Sequence, residues 1–202
     1  MNSKPFQLIA GHVALDFANT LDNRFSPASS DELLPTYGEL LRFCRESRLI
    51  GPGEEHRLAR LSEGAQKAAV AAAHEFREAL ERIFAATARK EPIDPGDLDL
   101  LNNQIHRATN HRDVSDVRGT LRWQWDERGK DAFAPLWRIA LEAGELLTSD
   151  NLRHVRECGA PTCRWLFLDS SKNQRRRWCD MKLCGNRSKA RRYYEAHATR
   201  PR

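Results

Sequence analysis

Apolar residues recur every three to four positions over most of the first 150 residues, the period of an amphipathic helix. Tyr37, Leu40, Leu41 and Cys44 share one face of a helix expected over residues 36–48, which makes Cys44 a core thiol. Pro52-Gly53 breaks it, and Glu54-Glu55 open the next helix with acid in its first turn, where the helix dipole favours negative charge. A long Ala-rich helix is expected over 65–89, with Phe76, Ala79, Leu80, Ile83 and Phe84 as its apolar stripe and Glu78–Arg82 as a surface pair. Pro92 to Pro95 turns the chain, and Asp94 caps a helix running to about His111. The period then changes. Val117, Leu121, Trp123 and Trp125 around Arg-Gly-Thr read as a small β-hairpin within 115–127. Helical spacing returns over 131–147, with Phe133, Trp137, Ala140, Leu141, Gly144 and Leu147 toward the core and Asp150 capping a short turn beyond.

The first segment, residues 6–21, fits neither period cleanly. Ala14, Phe17, Ala18 and Leu21 keep helical spacing, so a short helix is expected, ending near Asn23 and the Ser26-Pro27 turn. Asp16, Asn19, Thr20 and Arg24 lie beside this apolar face. They read as a polar ligand pocket or a clamp onto the C-terminal part, against local backbone bonding by Asn19 and Thr20 and an arginine partner for Asp16.

The last fifth of the chain is different again. Cys158 and Cys163, then Cys179 and Cys184, form two Cys-x4-Cys pairs fifteen residues apart. Four thiolates can hold zinc tetrahedrally, and paired cysteines bracketing a short insert are one way a small module supplies them. Two disulfides are the competing reading, disfavoured by a helical core with no other paired cysteines and no signal-like N-terminus. The insert reads as a hairpin: Trp165 and Phe167 on one face, Leu166 and Leu168 on the other, a turn at Ser170 to Asn173, and a return strand from Arg175 to Trp178. Gly185 then permits a tight turn, and Asn186 caps a helix over 188–197. The expected fold is mainly α: a helical N-terminal domain (1–150) with a small β-hairpin, followed by a treble-clef-like zinc finger (151–202) of knuckle, hairpin and helix. No flexible linker separates them, so the finger should pack on the body.

Net charge alone hides an asymmetry. Of 33 Lys/Arg and 28 Asp/Glu in 202 residues, fourteen basic and four acidic residues fall in 151–202. An acidic body thus carries a strongly basic finger, a footprint of nucleic-acid binding. Arg175, Arg176 and Arg177 on the expected return strand, with Arg187, Lys189, Arg191 and Arg192 on the helix, are the candidate phosphate contacts. Strand alternation turns at least one of the three consecutive arginines toward the protein. Trp178 reads as the plug of the finger's small core. No H-E-x-x-H pair, Gly-rich phosphate loop or G-x-S-x-G elbow occurs, and four cysteines close the metal shell, so no enzyme is expected. No apolar run approaches a membrane span, which makes the cytoplasm the expected location and a membrane partner unexpected.

C-x4-C, W-L-F-L-D, R-R-R-W-C and C-G-N-R-S-K-A-R resemble the CGNR-type zinc finger of bacterial proteins. Gly11 to Arg24, G-H-V-A-L-D-F-A-N-T-L-D-N-R, is similar to the signature that opens the ABATE domain of the same proteins. The resemblance implies a stress-linked transcription regulator. Two functional readings follow. In the first, the basic finger binds nucleic acid, DNA before RNA, while the body senses a small-molecule effector or forms a homodimer that enlarges the small contact area of one finger. In the second, the finger is a protein-docking module with a purely structural zinc.

Overall fold

In the computed structural model, which describes residues 4–26, 30–125 and 131–198 (without the side chains of Ala196 and Ala198), helix α6 (Ala134–Thr148) forms the centre of the body. Every residue from Ala134 to Ala140 is buried, Arg138 among them with Glu54 as its ion-pair partner. Around it pack α1 (Val13–Ala18), α2 (Tyr37–Glu46), α4 (Glu63–Arg89) and α5 (Pro95–Thr109), while the short α3 (Pro52–Leu58) lies against α2. Its most buried apolar positions include Leu136, Ile139, Ala143 and Leu146; the expected face, with Leu141, Gly144 and Leu147, is rotated relative to the real one. Crowding on several sides erases the one-face pattern that periodicity reads.

The helix boundaries follow local chemistry. The Thr36 hydroxyl accepts the Glu39 amide at α2, Ser62 the Ala65 amide at α4, and the Asp94 carboxylate the Gly96 amide (2.8 Å) at α5. Cys44 is a buried core thiol, and burial pushes its pKa well above the ordinary value. The Glu78–Arg82 pair does not form. Arg82 binds Asp97 (2.6 and 2.9 Å), while Glu78 receives Arg24 and Arg77, because tertiary partners offer better geometry than the i+4 neighbour.

Helix α1 ends at Ala18, earlier than expected. Leu21–Asp22 is instead strand β1, paired antiparallel with β2 (Asp31–Glu32). Buried Arg77 grips Glu32 with two bonds of 2.7 and 2.8 Å and fixes this pair to α4. The expected Ser26-Pro27 turn runs outside the described residues. The second hairpin, β3 (Arg112–Val117) and β4 (Thr120–Trp125), turns through Arg118 and Gly119, both at positive φ, as a two-residue primed turn requires. Residues 126 and 127, part of its expected span, are outside the described residues.

After α6, Ser149 rather than Asp150 caps a 3-10 turn (Asp150–His154), accepting the Asn151 amide. The chain enters β5 (Val155–Glu157), which pairs antiparallel with β6 (Leu166–Leu168). This corrects the expected hairpin: β6 pairs with the segment before the first cysteine, and residues 175–178 form no strand. Trp165, Leu166 and Phe167 are all buried, since the body covers one face and the cysteine knuckle the other. A π-turn (Met181–Gly185) leads into α7 (Asn186–Ala198). Asn186 has helical φ and ψ and is no cap; Asp180 caps instead, accepting the Leu183 amide at 2.8 Å.

Candidate metal centre and basic surface

The loop that joins β5 to β6 holds the first cysteine pair. Cys158 donates its amide to the Trp165 carbonyl (2.8 Å), and Cys163 donates its own to Ala160 (3.0 Å), so the knuckle turns on itself with both sulfurs inward. The second pair comes from the π-turn and the residue before Asp180. All four sulfurs are buried and lie within 4.8 Å of one another. The 3.6 Å contacts join Cys163 to Cys179 across the pairs and Cys179 to Cys184 within one. Tetrahedral Zn–S bonds of about 2.3 Å place sulfurs about 3.8 Å apart. A disulfide would need about 2.05 Å, and two separate disulfides need no four-way cluster. The donor set fits zinc.

Without a cation the cluster cannot ionise throughout. Thiol hydrogen bonds from Cys163 and Cys179, with the amides of Cys179 and Ala160, hold the Cys158 thiol far below its ordinary value. The Cys179 thiol is driven up, chiefly by its hydrogen bonds with Cys158 and Cys163. A divalent ion removes that conflict by neutralising several thiolates at once.

Close packing supports the centre. A Cβ on Gly185 would stand 2.4 Å from the Met181 sulfur and 3.2 Å from the Trp178 ring. Gly185 stands in the tight turn expected of it, the π-turn, and since its φ is not positive it serves there by permitting close approach. Asp169 organises the loop between the pairs, accepting the Ser171 amide and hydroxyl (3.0 and 2.6 Å) and the Arg176 amide (2.9 Å). Burial pushes its carboxyl up, but these hydrogen bonds prevail and hold it below the ordinary value.

The candidate basic residues divide. Arg176 turns inward: its guanidinium donates to the carbonyls of Trp178 (2.8 Å) and Cys179 and lies 4.6 Å over the Phe167 ring. It ties the loop to the second cysteine pair, a role invisible in a run of three arginines. Arg175, Arg177, Arg187, Lys189, Arg191 and Arg192 are exposed, and among the described residues none forms an ion pair with a carboxylate of the body. Lys182, exposed on the π-turn, adds a cation that motif reading passed over; its place one turn before Asn186 is the signal that could have found it.

Asp16, Asn19, Thr20 and Arg24 are turned onto protein partners. Asn19 exchanges two hydrogen bonds with the backbone of Leu166, Asp16 accepts the Ala10 amide (2.9 Å), Thr20 donates to Phe17 (2.7 Å), and Arg24 binds Glu78 and the Ala18 carbonyl. Asp16 has a backbone partner where an arginine was expected, because the Gly11 turn aims the Ala10 amide at it. That turn also brings the Ala10 carbonyl to the Leu168 amide (2.7 Å). The outer edge of β6 is thus closed by residues of the body. Glu157, on β5, adds an ionic tie by receiving Arg89 from α4 (2.8 Å) and Arg164 from the finger.

Among the described residues no helix is long and apolar enough to cross a membrane. A comparison with curated proteins gives no match. Residues 154–197 match the family model of the CGNR zinc finger, whose cofactor in this chain is a structural zinc, and residues 11–150 match ABATE, described as "putative stress-induced transcription regulator". The second match spans well over half of the chain, and the protein belongs to the ABATE family, with a CGNR zinc finger at its C-terminal end.

Proposed function

We propose that this protein is a regulator that binds duplex DNA through the exposed cations of its finger, with Cys158, Cys163, Cys179 and Cys184 as the zinc ligands. Residues 1–150 act as the platform and residues 151–202 as the reader. The observation that carries the reading is the freedom of Arg175, Arg177, Arg187, Lys189, Arg191 and Arg192: exposed, on a finger bonded to an acidic body, yet paired with none of its described carboxylates. Exposed guanidinium and ammonium groups without a carboxylate partner on one module suit a polyanion, whose phosphates they neutralise with release of counterions. Arg187 and Arg191, one helical turn apart on α7, can follow neighbouring phosphates or offer a fork to a guanine edge. Zinc holds the finger in shape and takes no part in chemistry. Asn19 holds the finger directly and Asp16 supports the turn at Ala10 that does so, while Thr20 and Arg24 bond within the body, so the four serve structure rather than an effector.

Fluorescence anisotropy with random duplex DNA at several salt concentrations tests the reading. Expected is a steep fall of affinity with salt, and loss of binding in the Arg187→Ala/Arg191→Ala variant. Absence of binding at low salt would sink the DNA reading and leave the finger as a protein-docking module. Single-stranded RNA in the same assay separates the two nucleic acids.

A further inference from the structure

The β3–β4 hairpin carries an apolar face that the described chain leaves open. Its register pairs Arg112 with Trp125, Val114 with Trp123 and Asp116 with Leu121, so these six side chains share one face. At the base, the Arg138 guanidinium lies 4.0 Å over the Trp125 ring and ties the hairpin to the body. Beyond that contact Val114, Trp123 and Leu121 are 56%, 58% and 73% exposed. The opposite face holds Asp113, Ser115, Arg122, Gln124 and Thr120, with Val117 near the tip, and suits water. A two-stranded ribbon is marginally stable unless one face is covered.

Two charges frame the apolar stripe on the same strand and the same face: Arg112 at the base, Asp116 toward the tip. Among the described residues neither has an ion-pair partner. Arg112 rests over the Trp123 ring at 4.5 Å, and Asp116 accepts the Gly119 amide of its own turn at 2.7 Å. The order along β3 is therefore positive, apolar, negative.

We propose that this face packs on the same face of a second copy of the chain, forming a two-fold homodimer. The axis lies in the interface, across the strands, level with Val114 and Trp123. That operation lays β3 antiparallel over its counterpart. Arg112 then meets Asp116 of the second copy, and the reverse pair forms at the other end. Val114 and Trp123 each meet their own counterparts, and Leu121 packs beside Trp125 of the second copy. Arg112 and Asp116 stand about 13 Å apart along the strand, so both ion pairs fit one register. Stacking the strands in parallel would set like charges together; only the antiparallel arrangement is self-complementary. The dimer would carry two fingers.

Sedimentation equilibrium on the zinc-loaded full chain, over a wide range of micromolar concentrations, tests this. Expected is twice the 23.2 kDa chain mass. Trp123→Asp gives the monomer with an unchanged far-UV spectrum, since the side chain is mostly in water. Asp116→Arg and Arg112→Asp each weaken association by about tenfold or more. Mixing those two single variants restores it, because one chain then presents two acids and the other two bases. A wild-type monomer at every concentration, a dimer that survives Trp123→Asp, or mixed variants that stay apart would each overturn the proposal.

Discussion

The side-chain amide of Asn19 donates to the Leu166 carbonyl at 2.8 Å and accepts the Leu166 amide at 2.9 Å, across 147 residues of sequence. Asn19 thereby acts as a short length of neighbouring strand, closing the edge of β6 that β5 leaves unpaired. Its neighbours serve the same seam. Gly11, at φ +81°, runs so near β6 that a Cβ added to it would lie 3.3 Å from the Leu168 Cβ, and Asp16 fixes the turn that sends the Ala10 carbonyl to Leu168. The stretch that marks the body in sequence is the stretch that grips the finger.

Asn19→Ala should be among the most damaging substitutions at a residue outside the metal site. It leaves the Leu166 amide and carbonyl buried and unbonded, at about 1–3 kcal/mol each. A lowered Tm together with faster hydrogen exchange at the Leu166 amide is expected. A lowered Tm with unchanged exchange there would place the damage elsewhere. Asn19→Asp retains one of the two bonds and sets a carboxylate against the Leu166 carbonyl, so it should not rescue.

Gly11→Ala separates backbone strain from lost hydrogen bonding. At φ +81° an alanine is strained, and its Cβ would press on Leu168. A cost of about 1–2 kcal/mol is expected in denaturant melts. The same change at Gly64, where an added Cβ meets nothing within 4 Å, should be neutral to stabilising.

Zinc removal should unfold the finger and spare the helices. The finger's buried contacts gather around Cys158, Cys163, Trp165, Phe167, Cys179 and Cys184, too few to stand without the ion. Treatment with a strong chelator is expected to change Trp fluorescence through Trp165 and Trp178 while the far-UV helical signal largely persists. One zinc per chain by elemental analysis, abolished in Cys158→Ser and Cys184→Ser but kept in Cys44→Ser, checks the ligand set.

Arginines of the finger should split by role. Arg176→Ala removes two bonds to carbonyls around Cys179 and should lower finger stability at every salt concentration. Arg191→Ala leaves stability unchanged and lowers DNA affinity, with a shallower salt slope. Equal effects of both on stability would contradict this division.

Burial lifts the Asp16 carboxyl to about 6, against the pull of the Ala10 and Ile9 amides. An unfolded aspartate titrates near 3.9. Between those values the folded chain binds the extra proton, so the Asp16 contribution favours folding at low pH and is lost as pH rises through about 6. Asp16→Asn retains an oxygen for the Ala10 amide without the charge. Relative to the wild type it should be at least as stable at pH 7.5, with the advantage shrinking toward pH 4.5. Paired melts at each pH cancel the separate acid sensitivity of the zinc thiolates; a constant difference across this range would contradict the assignment.

Much of the helical body could be read in the chain because local patterns suffice there. Thr36, Ser62 and Asp94 cap their helices, and the stripe from Phe76 to Phe84 faces the core. The cysteine spacing pointed to zinc because paired thiols in a short basic module have few other uses, and the resemblance reached the family through residues at both ends. Only the tertiary structure decided what required partners distant in sequence. β6 pairs backward with β5 because the body, through Ala10 and Asn19, closes its other edge and leaves no place for residues 175–178. Arg176 separates from its neighbours because the carbonyls near Cys179 come within its reach. Arg82 leaves Glu78 for Asp97 for the same reason. Periodicity records which face a residue shares, whereas hydrogen bonds and ion pairs depend on where a distant segment arrives, and that position exists only once the chain has folded.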